Sequence, residues 1–469
     1  MADRLNIIWI FGDQHRRHAL SIEGDPNVST PNIDALAQQG VYSRNALATV
    51  PLCCPARGSI LTGRYAHHAV PGHEVRLNPE IPTIAAAFND AGYDTAYFGK
   101  WHVDGFHEAD GRAAFHTVPR ERRGGFSTWL GYENNNSQWD SYVHGHRRVA
   151  AGGGAAPEEE VPRYRLDGYE TDALTDHLLH YLEMQAPGEQ PFFAVLSVQP
   201  PHDPYLSPPL FMDRHNPAQV QLRENVPTVK VVRETVQRDL AGYYGMIENL
   251  DAAVGRVRTV LDQTGLAETT RIIFFSDHGD MHGSHGQFRK TSPWEEAVRV
   301  PFIVGPLGRY HPMRRTSEVP WLIGQPDIAP TTLGLCGIPV PAQMEGFNYA
   351  PWLDAALSGR QGPPPIPAAG TPPSAAILQS IIPTGHSHSV DRSWRGIVTL
   401  DGWKFVCFDG VPWLLFNLNE DPLEQMNLAH NPRYHRERNR LAGMLAQQLA
   451  ALGDTFNTGV SPDQPSSTS

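Results

Sequence analysis

Short apolar segments alternate with longer amphipathic segments through most of the 469-residue chain. The apolar segments have the length and composition of buried strands and occupy residues 6–11, 94–99, 191–198, 271–276 and 298–304. Between them lie helical patterns, such as those at 172–186 and 238–264. Because strand–helix alternation favours parallel pairing, we predict an α/β fold, with a large, mainly parallel central sheet sandwiched by helices.

Polar residues follow four of these predicted strands at the points where the strands end. They are Asp13 with Gln14, Lys100 with His102, His202, and Asp277 with His278. The carboxyl ends of parallel strands meet at one edge of the sheet, where such folds bind their ligands. We therefore expect these side chains to converge on a single site.

Asp13, Gln14, Asp277 and His278 together offer mainly oxygen ligands, a set that suits Ca²⁺, with Mg²⁺ and Mn²⁺ as alternatives. Either aspartate could instead cap a following helix. A zinc site formed by Asp277, His278, His282 and His285 is a second alternative, although the interspersed glycines favour a loop. His144 and His146 are assigned to a surface loop.

Two adjacent cysteines, Cys53 and Cys54, account for half of the cysteines in the chain. Pro55 and Gly63 are typical of a helix start and a helix end, so the pair is predicted to lie at a helix N-terminus. Such a position lowers a thiol pKa and favours anions, with Arg57 one turn further on. Two interpretations of these cysteines therefore remain open, a nucleophile and a small buried residue.

The net charge is −12, which disfavours binding to nucleic acid. The first residues have no secretory pattern, and no segment is long and apolar enough to span a membrane. With four cysteines and no disulfide framework, we expect a cytoplasmic protein without a membrane or nucleic-acid partner. The sequence allows a homo-oligomer without predicting one.

The alternation of strand and helix patterns along the chain changes after Leu353. We predict a catalytic domain at residues 1–357, a Pro/Gly-rich connection at 358–375, and a small C-terminal subdomain at 376–452. Three short strands with Asp-Gly turns and a helix at 433–451 indicate an antiparallel sheet plus a helix in that subdomain. Residues 453–469 are assigned to a disordered tail.

The segment from Cys53 to Arg64 resembles the sulfatase signature, in which Cys-x-Pro-x-Arg is followed by Leu-Thr-Gly-Arg. The spacing makes Cys53 the signature cysteine. Further motifs agree in order: "TPNIDALAQQGV" at 30–41, "GKWH" at 99–102, "PPH" at 200–202, "SDHG" at 276–279, Lys290, and "LFNLNEDPLEQMNLA" at 415–429. The resemblance implies an alkaline-phosphatase-like fold, close to the arylsulfatase and phosphonate monoester hydrolase branch.

The resemblance also implies that a separate maturation enzyme oxidises Cys53 to formylglycine. The hydrated aldehyde then attacks the sulfur of a sulfate ester, and its second hydroxyl allows sulfate to be released. The implied metal ligands are Asp13, Gln14, Cys53, Asp277 and His278. The implied nucleophile is Cys53 as formylglycine, and Arg57 is implied to hold the aldehyde hydrate. Lys100 and Lys290 are implied to bind the sulfate oxygens, with His102 as the base and His202 as the acid.

Two positions depart from the common family pattern: Gln14 replaces an aspartate, and His73 stands where relatives often carry asparagine. His73 is therefore a candidate substrate-binding residue. The substrate class is a carbohydrate, alkyl or aryl sulfate, and residues 125–146 form either a wall of the pocket or a packed insertion. A phosphonate monoester or phosphodiester hydrolase is the nearest alternative, although Lys100 and His102 favour sulfate. A non-catalytic metal- or carbohydrate-binding protein is a further alternative.

Overall fold

Most strands of the protein belong to one large sheet. The structure, a computed structural model, describes residues 4–148, 158–308, 317–358, 370–383 and 390–460. Within these ranges the sheet has ten strands, in the order β10-β2-β9-β8-β1-β7-β3-β4-β5-β6. They are β1 (Asn6–Gly12), β2 (Val41–Ser43), β3 (Asp94–Lys100), β4 (Thr128–Tyr132), β5 (Tyr142–Arg148), β6 (Glu158–Arg165), β7 (Phe192–Val198), β8 (Thr270–Ser276), β9 (Phe302–Val304) and β10 (Ser317–Val319).

The five central strands β8, β1, β7, β3 and β4 run parallel to one another. Gly12 at the end of β1 pairs with Val198 of β7 and with Ser276 of β8, so these carboxyl ends are level. On one side β9 runs antiparallel to β8, and on the other side β5 runs antiparallel to β4 and β6 runs antiparallel to β5. The mainly parallel sheet predicted from the sequence is confirmed, whereas β9 is shorter than predicted.

Helices cover both faces of the sheet, which is why β1 is apolar at successive positions. Ile7, Trp9 and Phe11 lie in one hydrophobic core, and Ile8 and Ile10 lie in the other. The helices are α1 (Pro31–Gln39), α2 (Cys53–Thr62), α3 (Ile84–Asp90), α4 (Glu170–Gln185), α5 (Pro209–Met212), α6 (Lys230–Thr264), α7 (Glu295–Val298), α8 (Gln325–Leu335), α9 (Ala350–Leu357) and α10 (His435–Ala451). Among the described helices, none combines the length and apolar character needed to cross a membrane.

A second, antiparallel sheet contains β11 (Ala375–Ser380), β12 (Trp394–Thr399), β13 (Trp403–Phe408) and β14 (Val411–Asn417). Helix α10 packs on one face of it, and the other face packs against Met281 and Trp294 of the larger unit. The sequence predicted β12 to β14 and α10 but not β11. Most of the predicted connection, at 359–369, lies outside the described residues, as does 461–469 of the predicted tail, whereas Phe456 and Val460 pack on this sheet.

The placement of His144 and His146 in a surface loop was wrong. Both residues lie in β5, and they are only 2% and 1% exposed. The Nε2 atom of His144 accepts a hydrogen bond from the backbone N–H of Val118 at 2.9 Å, and His146 Nε2 lies 2.9 Å from the carbonyl oxygen of Phe126. Each ring therefore pairs with a backbone group that the sequence alone does not bring near it.

Candidate active site

The polar residues that follow the predicted strands gather at the carboxyl edge of the central sheet. Asp13 follows β1, Lys100 ends β3, and Asp277 follows β8. Lys100 Nζ lies 2.7 Å from Asp13 Oδ2, and both side chains are fully buried. Residues far apart in the sequence thus share one site because their strands are neighbours.

Helix α2 brings Cys53 to this edge as its first residue. The Cys53 sulfur is buried and lies 3.1 Å from His278 Nε2, 2.9 Å from Lys290 Nζ and 3.4 Å from Asp13 Oδ1. The free N–H groups at a helix start favour negative charge at such a position. Of the two adjacent cysteines, only Cys53 therefore lies among the charged residues of the site.

The side chain of Arg57, one turn into α2, links the strand ends through hydrogen bonds and ion pairs. Its Nη2 donates to Asp13 Oδ2 at 3.2 Å, and its Nε lies 3.2 Å from Asp277 Oδ2. Its Nη1 donates to the Lys100 carbonyl at 2.9 Å and to Ser197 Oγ at 2.8 Å. Ser197, on β7, is a residue that sequence reasoning missed, because a lone serine inside an apolar strand gives no signal.

Asp13, Cys53, Asp277 and His278 form a compact group whose ligand atoms all lie within 4.8 Å of one another. Two carboxylates and a sulfur at this separation repel one another when they are ionised. His278 Nδ1 lies 2.9 Å from the Gly279 carbonyl oxygen, which leaves Nε2 to the group. The chemistry of this donor set fits a divalent cation.

Gln14 lies next to this group, because its backbone N–H donates to Asp277 Oδ1 at 3.0 Å. Its Nε2 donates to Asp280 Oδ2 at 2.5 Å, while its buried Oε1 has no hydrogen-bond partner among the described residues. An orphaned buried amide oxygen is costly unless something outside the chain satisfies it, and a hard cation does so. Asp280 was also missed by sequence reasoning, although it lies only three residues after Asp277.

The charges of the site alter several pKa values. Burial and Cys53 would raise the pKa of Asp13, but the surrounding cations, Lys100 foremost, hold it below its usual range. Burial opposes ionisation of the Cys53 thiol, yet Lys290 and His278 bring its pKa well below the usual value. Burial and Lys100 hold the pKa of His102 well below its usual range, which keeps the imidazole neutral.

Lys290 and His202 lie together beside Cys53. Lys290 Nζ lies 2.8 Å from His202 Nε2, and His202 Nδ1 lies 2.7 Å from the carbonyl oxygen of Asp203. Against the effect of burial, Cys53 acts to raise the pKa of the nearby His102, and the His102 ring lies 5.8 Å from the ring of His73. His73 Nδ1 lies 3.6 Å from the Cys54 sulfur, so every predicted site residue lies in this region.

The alternatives for the acidic residues receive no support from the geometry. No helix directly follows β1 or β8 in the described chain, so Asp13 and Asp277 do not act as helix caps. His282 Nε2 lies 3.4 Å from Asp280 Oδ2, and its ring packs on Tyr243. Among the described residues His285 groups with Glu296 and Glu424, away from His278, so the four-residue zinc site is not formed.

Comparison with known proteins finds a family match and similar relatives for this chain. Residues 5–338 match the Sulfatase family. An ulvan-active sulfatase from Formosa agariphila is 33% identical over 460 residues, which cover 97% of this chain and 82% of the relative. An arylsulfatase from Clostridium perfringens is 28% identical, with 97% and 96% of the two chains covered.

Solved structures share the fold. A protein solved in complex with its substrate D-glucosamine-2-N,6-O-disulfate has a TM-score of 0.80 at 22% identity, covering 97% of this chain and 99% of that one. The phosphonate monoester hydrolase of Agrobacterium radiobacter has a TM-score of 0.72 at 24% identity, covering 96% and 95%. Since the family match spans most of the sequence and agrees with the residues around Cys53, this chain belongs to the sulfatase family and is a sulfuric ester hydrolase.

Proposed function

We propose that the protein hydrolyses sulfate monoesters through a formylglycine derived from Cys53 and a divalent cation, Ca²⁺, at the neighbouring acidic group. The observation that carries this proposal is the contact of Cys53 Sγ with Lys290 Nζ at 2.9 Å and His278 Nε2 at 3.1 Å, beside buried Asp13. An anion-binding pair of lysines thus lies against a metal-binding group and a nucleophile position.

The residues that would hold the cation are Asp13, Gln14, Asp277 and His278, together with residue 53. The orphaned Gln14 Oε1 and the two carboxylates are hard ligands, which favours Ca²⁺ over softer metals. In the formylglycine form an oxygen takes the position of the cysteine sulfur. Together, the cation and the hydrated aldehyde supply an activated oxygen nucleophile.

The chain's own residues supply the remaining requirements. Lys100 and Lys290 lie where they can bind sulfate oxygens and offset the charge that gathers on them during transfer. His202, 2.8 Å from Lys290, is placed to donate a proton to the departing alcohol oxygen. His102 is neutral and lies near residue 53, as a base requires. Overall, water cleaves the ester into an alcohol and sulfate.

Sulfate is favoured over phosphonate or phosphodiester because this site retains both Lys100 and His102 near Cys53. The substrates are proposed to be small-molecule or carbohydrate sulfate esters, and the maturation enzyme is proposed as a transient partner. Relatives include an ulvan-active sulfatase, an arylsulfatase and an endo-4-O-sulfatase. These names cover both carbohydrate and aryl esters.

The test compares Cys53→Ala with Cys54→Ala. In protein co-expressed with a maturation enzyme, the peptide carrying residue 53 should be lighter than the thiol form by about 18 Da. Cys53→Ala should lower kcat/KM for 4-nitrophenyl sulfate by about 1000-fold or more, because the nucleophile is lost. Cys54→Ala should stay within about fivefold of the parent, since Cys54 packs in the hydrophobic core.

Two results would contradict the proposal. One is full activity of the Cys53→Ala protein. The other is turnover of a phosphodiester or phosphonate monoester by the mature enzyme far faster than every sulfate ester offered, which would favour the alternative reaction on the same nucleophile.

A further inference from the structure

A polar groove of about 480 Å³ opens beside the candidate active site. Its walls come from segments 108–114 and 134–140. The first segment follows His102 in the chain, and the second follows β4, the neighbour of β3 at the same sheet edge. The groove therefore lies at the edge of the sheet that carries Lys100.

Hydrogen bonds connect the two groove walls to segments next to the candidate active site. His73, beside His102, is followed by Glu74, whose carboxylate accepts from the Glu108 backbone N–H at 3.1 Å and lies 2.7 Å from His107 Nδ1. On the other wall, Gln138 Nε2 donates to the His202 carbonyl oxygen at 2.9 Å. Hydrogen bonds thus link both groove walls to chain segments that carry residues of the candidate site.

The walls are held rigidly by buried hydrogen bonds. Glu133, 1% exposed, accepts from the backbone N–H groups of Asp104 and Gly105 at 2.9 Å, which joins the chain just before each segment. Asn135 Nδ2 donates to Ser141 Oγ at 2.9 Å. A preformed groove of this kind suits ligand binding, because little conformational entropy is lost.

The groups on the groove suit hydroxyl recognition. Asn134 Nδ2 and Asn136 Nδ2 donate to Glu108 Oε1 at 3.1 and 2.9 Å. The buried Asn134 Oδ1 has no hydrogen-bond partner among the described residues. Carboxylate and amide oxygens accept hydrogen bonds from hydroxyl groups, and amide nitrogens donate to them.

The charged groups on the groove differ in whether they are paired. Asp140 pairs with Arg112 at 2.8 Å and with Arg165 at 2.9 Å, so its charge is compensated. Within the part of the chain that the structure describes, no cation pairs with the exposed Glu108. An anionic substituent placed against Glu108 would be repelled, whereas a neutral hydroxyl would not.

We infer that this groove is the leaving-group subsite and that it binds a neutral sugar, a carbohydrate without a second anionic group where it meets Glu108. The inference rests on the proposed function, since it names the substrate class of that same site. Glu108 and Asn136 act in binding the sugar rather than in the chemistry of the sulfate group.

The experiment measures kcat and KM for 4-nitrophenyl sulfate, for 3-, 4- and 6-monosulfated galactose and glucose, and for disulfated forms of the same sugars. The variants are Glu108→Gln and Asn136→Ala, with Glu121→Gln as a matched control, because Glu121 is also exposed but does not line the groove. Both groove variants should raise KM for the best monosulfated sugar about tenfold, while KM for the aryl ester should change by less than about twofold. The parent should prefer monosulfated to disulfated sugar by about tenfold, and Glu108→Gln should reduce that preference to about threefold or less.

The inference is overturned if the parent hydrolyses the aryl ester but no monosulfated sugar, if it prefers the disulfated sugars, or if Glu108→Gln affects sugar and aryl esters equally. Absence of turnover of any sulfate ester by mature protein would instead count against the proposed function. Calorimetric titration of the Cys53→Ala protein with the monosulfated sugars then tests the groove independently of catalysis. Adding Glu108→Gln to the Cys53→Ala protein should weaken binding of the monosulfated sugars about tenfold. Unchanged binding after this addition, or undetectable binding to the Cys53→Ala protein alone, overturns the inference.

Discussion

At the scale of single residues, Cys53 and Cys54 show how position decides the chemistry of one side chain. Lys290 and His278 bring the pKa of Cys53 well below the usual thiol value, whereas burial raises that of Cys54. Cys54 packs in the hydrophobic core beside α2, and its sulfur accepts from the Glu74 backbone N–H at 3.4 Å. Adjacent residues of one helix turn therefore face opposite environments.

His202 gives a prediction at this scale. His202→Asn removes the proposed proton donor for the departing oxygen, so sugar or alkyl sulfates should lose about 100- to 1000-fold in kcat. The leaving oxygen of 4-nitrophenyl sulfate needs far less protonation, and its kcat should fall about tenfold or less. Rates across esters of graded leaving-group pKa give the measurement. Equal losses for all esters would contradict the role of a general acid.

At the scale of elements, α8 supports the start of α2. Gln325, the first residue of α8, accepts from the backbone N–H of Val50 at 2.9 Å and donates to the Asp277 carbonyl at 2.6 Å. Asp327 holds this end of α8 by accepting from the backbone N–H groups of Gly324 and Phe347, both at 2.7 Å. One helix end thus fixes the segment before Cys53 and the strand end at Asp277.

Asp327 predicts a pH dependence of stability. Burial raises its pKa to about 7, despite the hydrogen bonds from Gly324 and Phe347. Because this folded-state pKa is above the unfolded value near 4, the contribution of Asp327 is complete below about pH 4 and is lost as pH rises through about 7. Asp327→Asn should therefore cost about 1–2 kcal/mol at pH 5, and the gap from the parent should shrink by pH 8.

Urea unfolding of both proteins at the two pH values measures this gap. Asp90→Asn, which changes an exposed carboxylate, serves as the control and should show no such trend. A gap that widens as the pH rises would refute the assignment.

At the scale of the whole molecule, the C-terminal sheet holds the loop that carries Lys290. The indole N–H of Trp394 in β12 donates to the Thr291 carbonyl at 3.1 Å. Lys404 in β13 is fully buried and lies 2.6 Å from Glu295 and 2.7 Å from Glu424. The small sheet is thereby part of the support of the site.

Lys404→Met should leave two buried carboxylates without their shared cation and should lower the free energy of unfolding by about 3–5 kcal/mol. It should also lower kcat/KM, because the loop that positions Lys290 loosens. Lys230→Met, at an exposed lysine of α6, is the control for loss of a charge. Adding Glu424→Gln to Lys404→Met should restore part of the stability, and failure of Lys404→Met to destabilise the protein would contradict the argument.

Metal binding is a prediction for the whole chain, because the proposed ligands Asp13, Cys53 and Asp277 come from segments far apart in sequence. Chelator should lower the temperature of unfolding, and Ca²⁺ should restore it more effectively than Mg²⁺ or Mn²⁺. A Ca²⁺ concentration about a thousand times its Kd should raise the free energy of unfolding by about 4 kcal/mol. Asp277→Asn should abolish the response while Asp90→Asn retains it, so an equal Ca²⁺ response in both variants would exclude Asp277 as a ligand.

Much of this fold and site could be predicted from the sequence, because the informative patterns are local. The apolar run of β1 requires burial on both faces, Pro55 and Gly63 mark the bounds of α2, and Asp13 and Asp277 directly follow strands. Strand β11 and the buried positions of His144 and His146 could not be predicted, because each depends on partners distant in sequence.

The sequence by itself determined the sheet class, the residues at the strand ends and the signature cysteine, since strand and helix propensities act between near neighbours. Only the tertiary structure decided how these residues meet. Lys290 reaches Cys53 across 237 positions, Gln14 turns its amide nitrogen to Asp280, and segments 108–114 and 134–140 enclose a groove. Such contacts follow from how strands and loops pack in space, a property that sequence spacing does not encode.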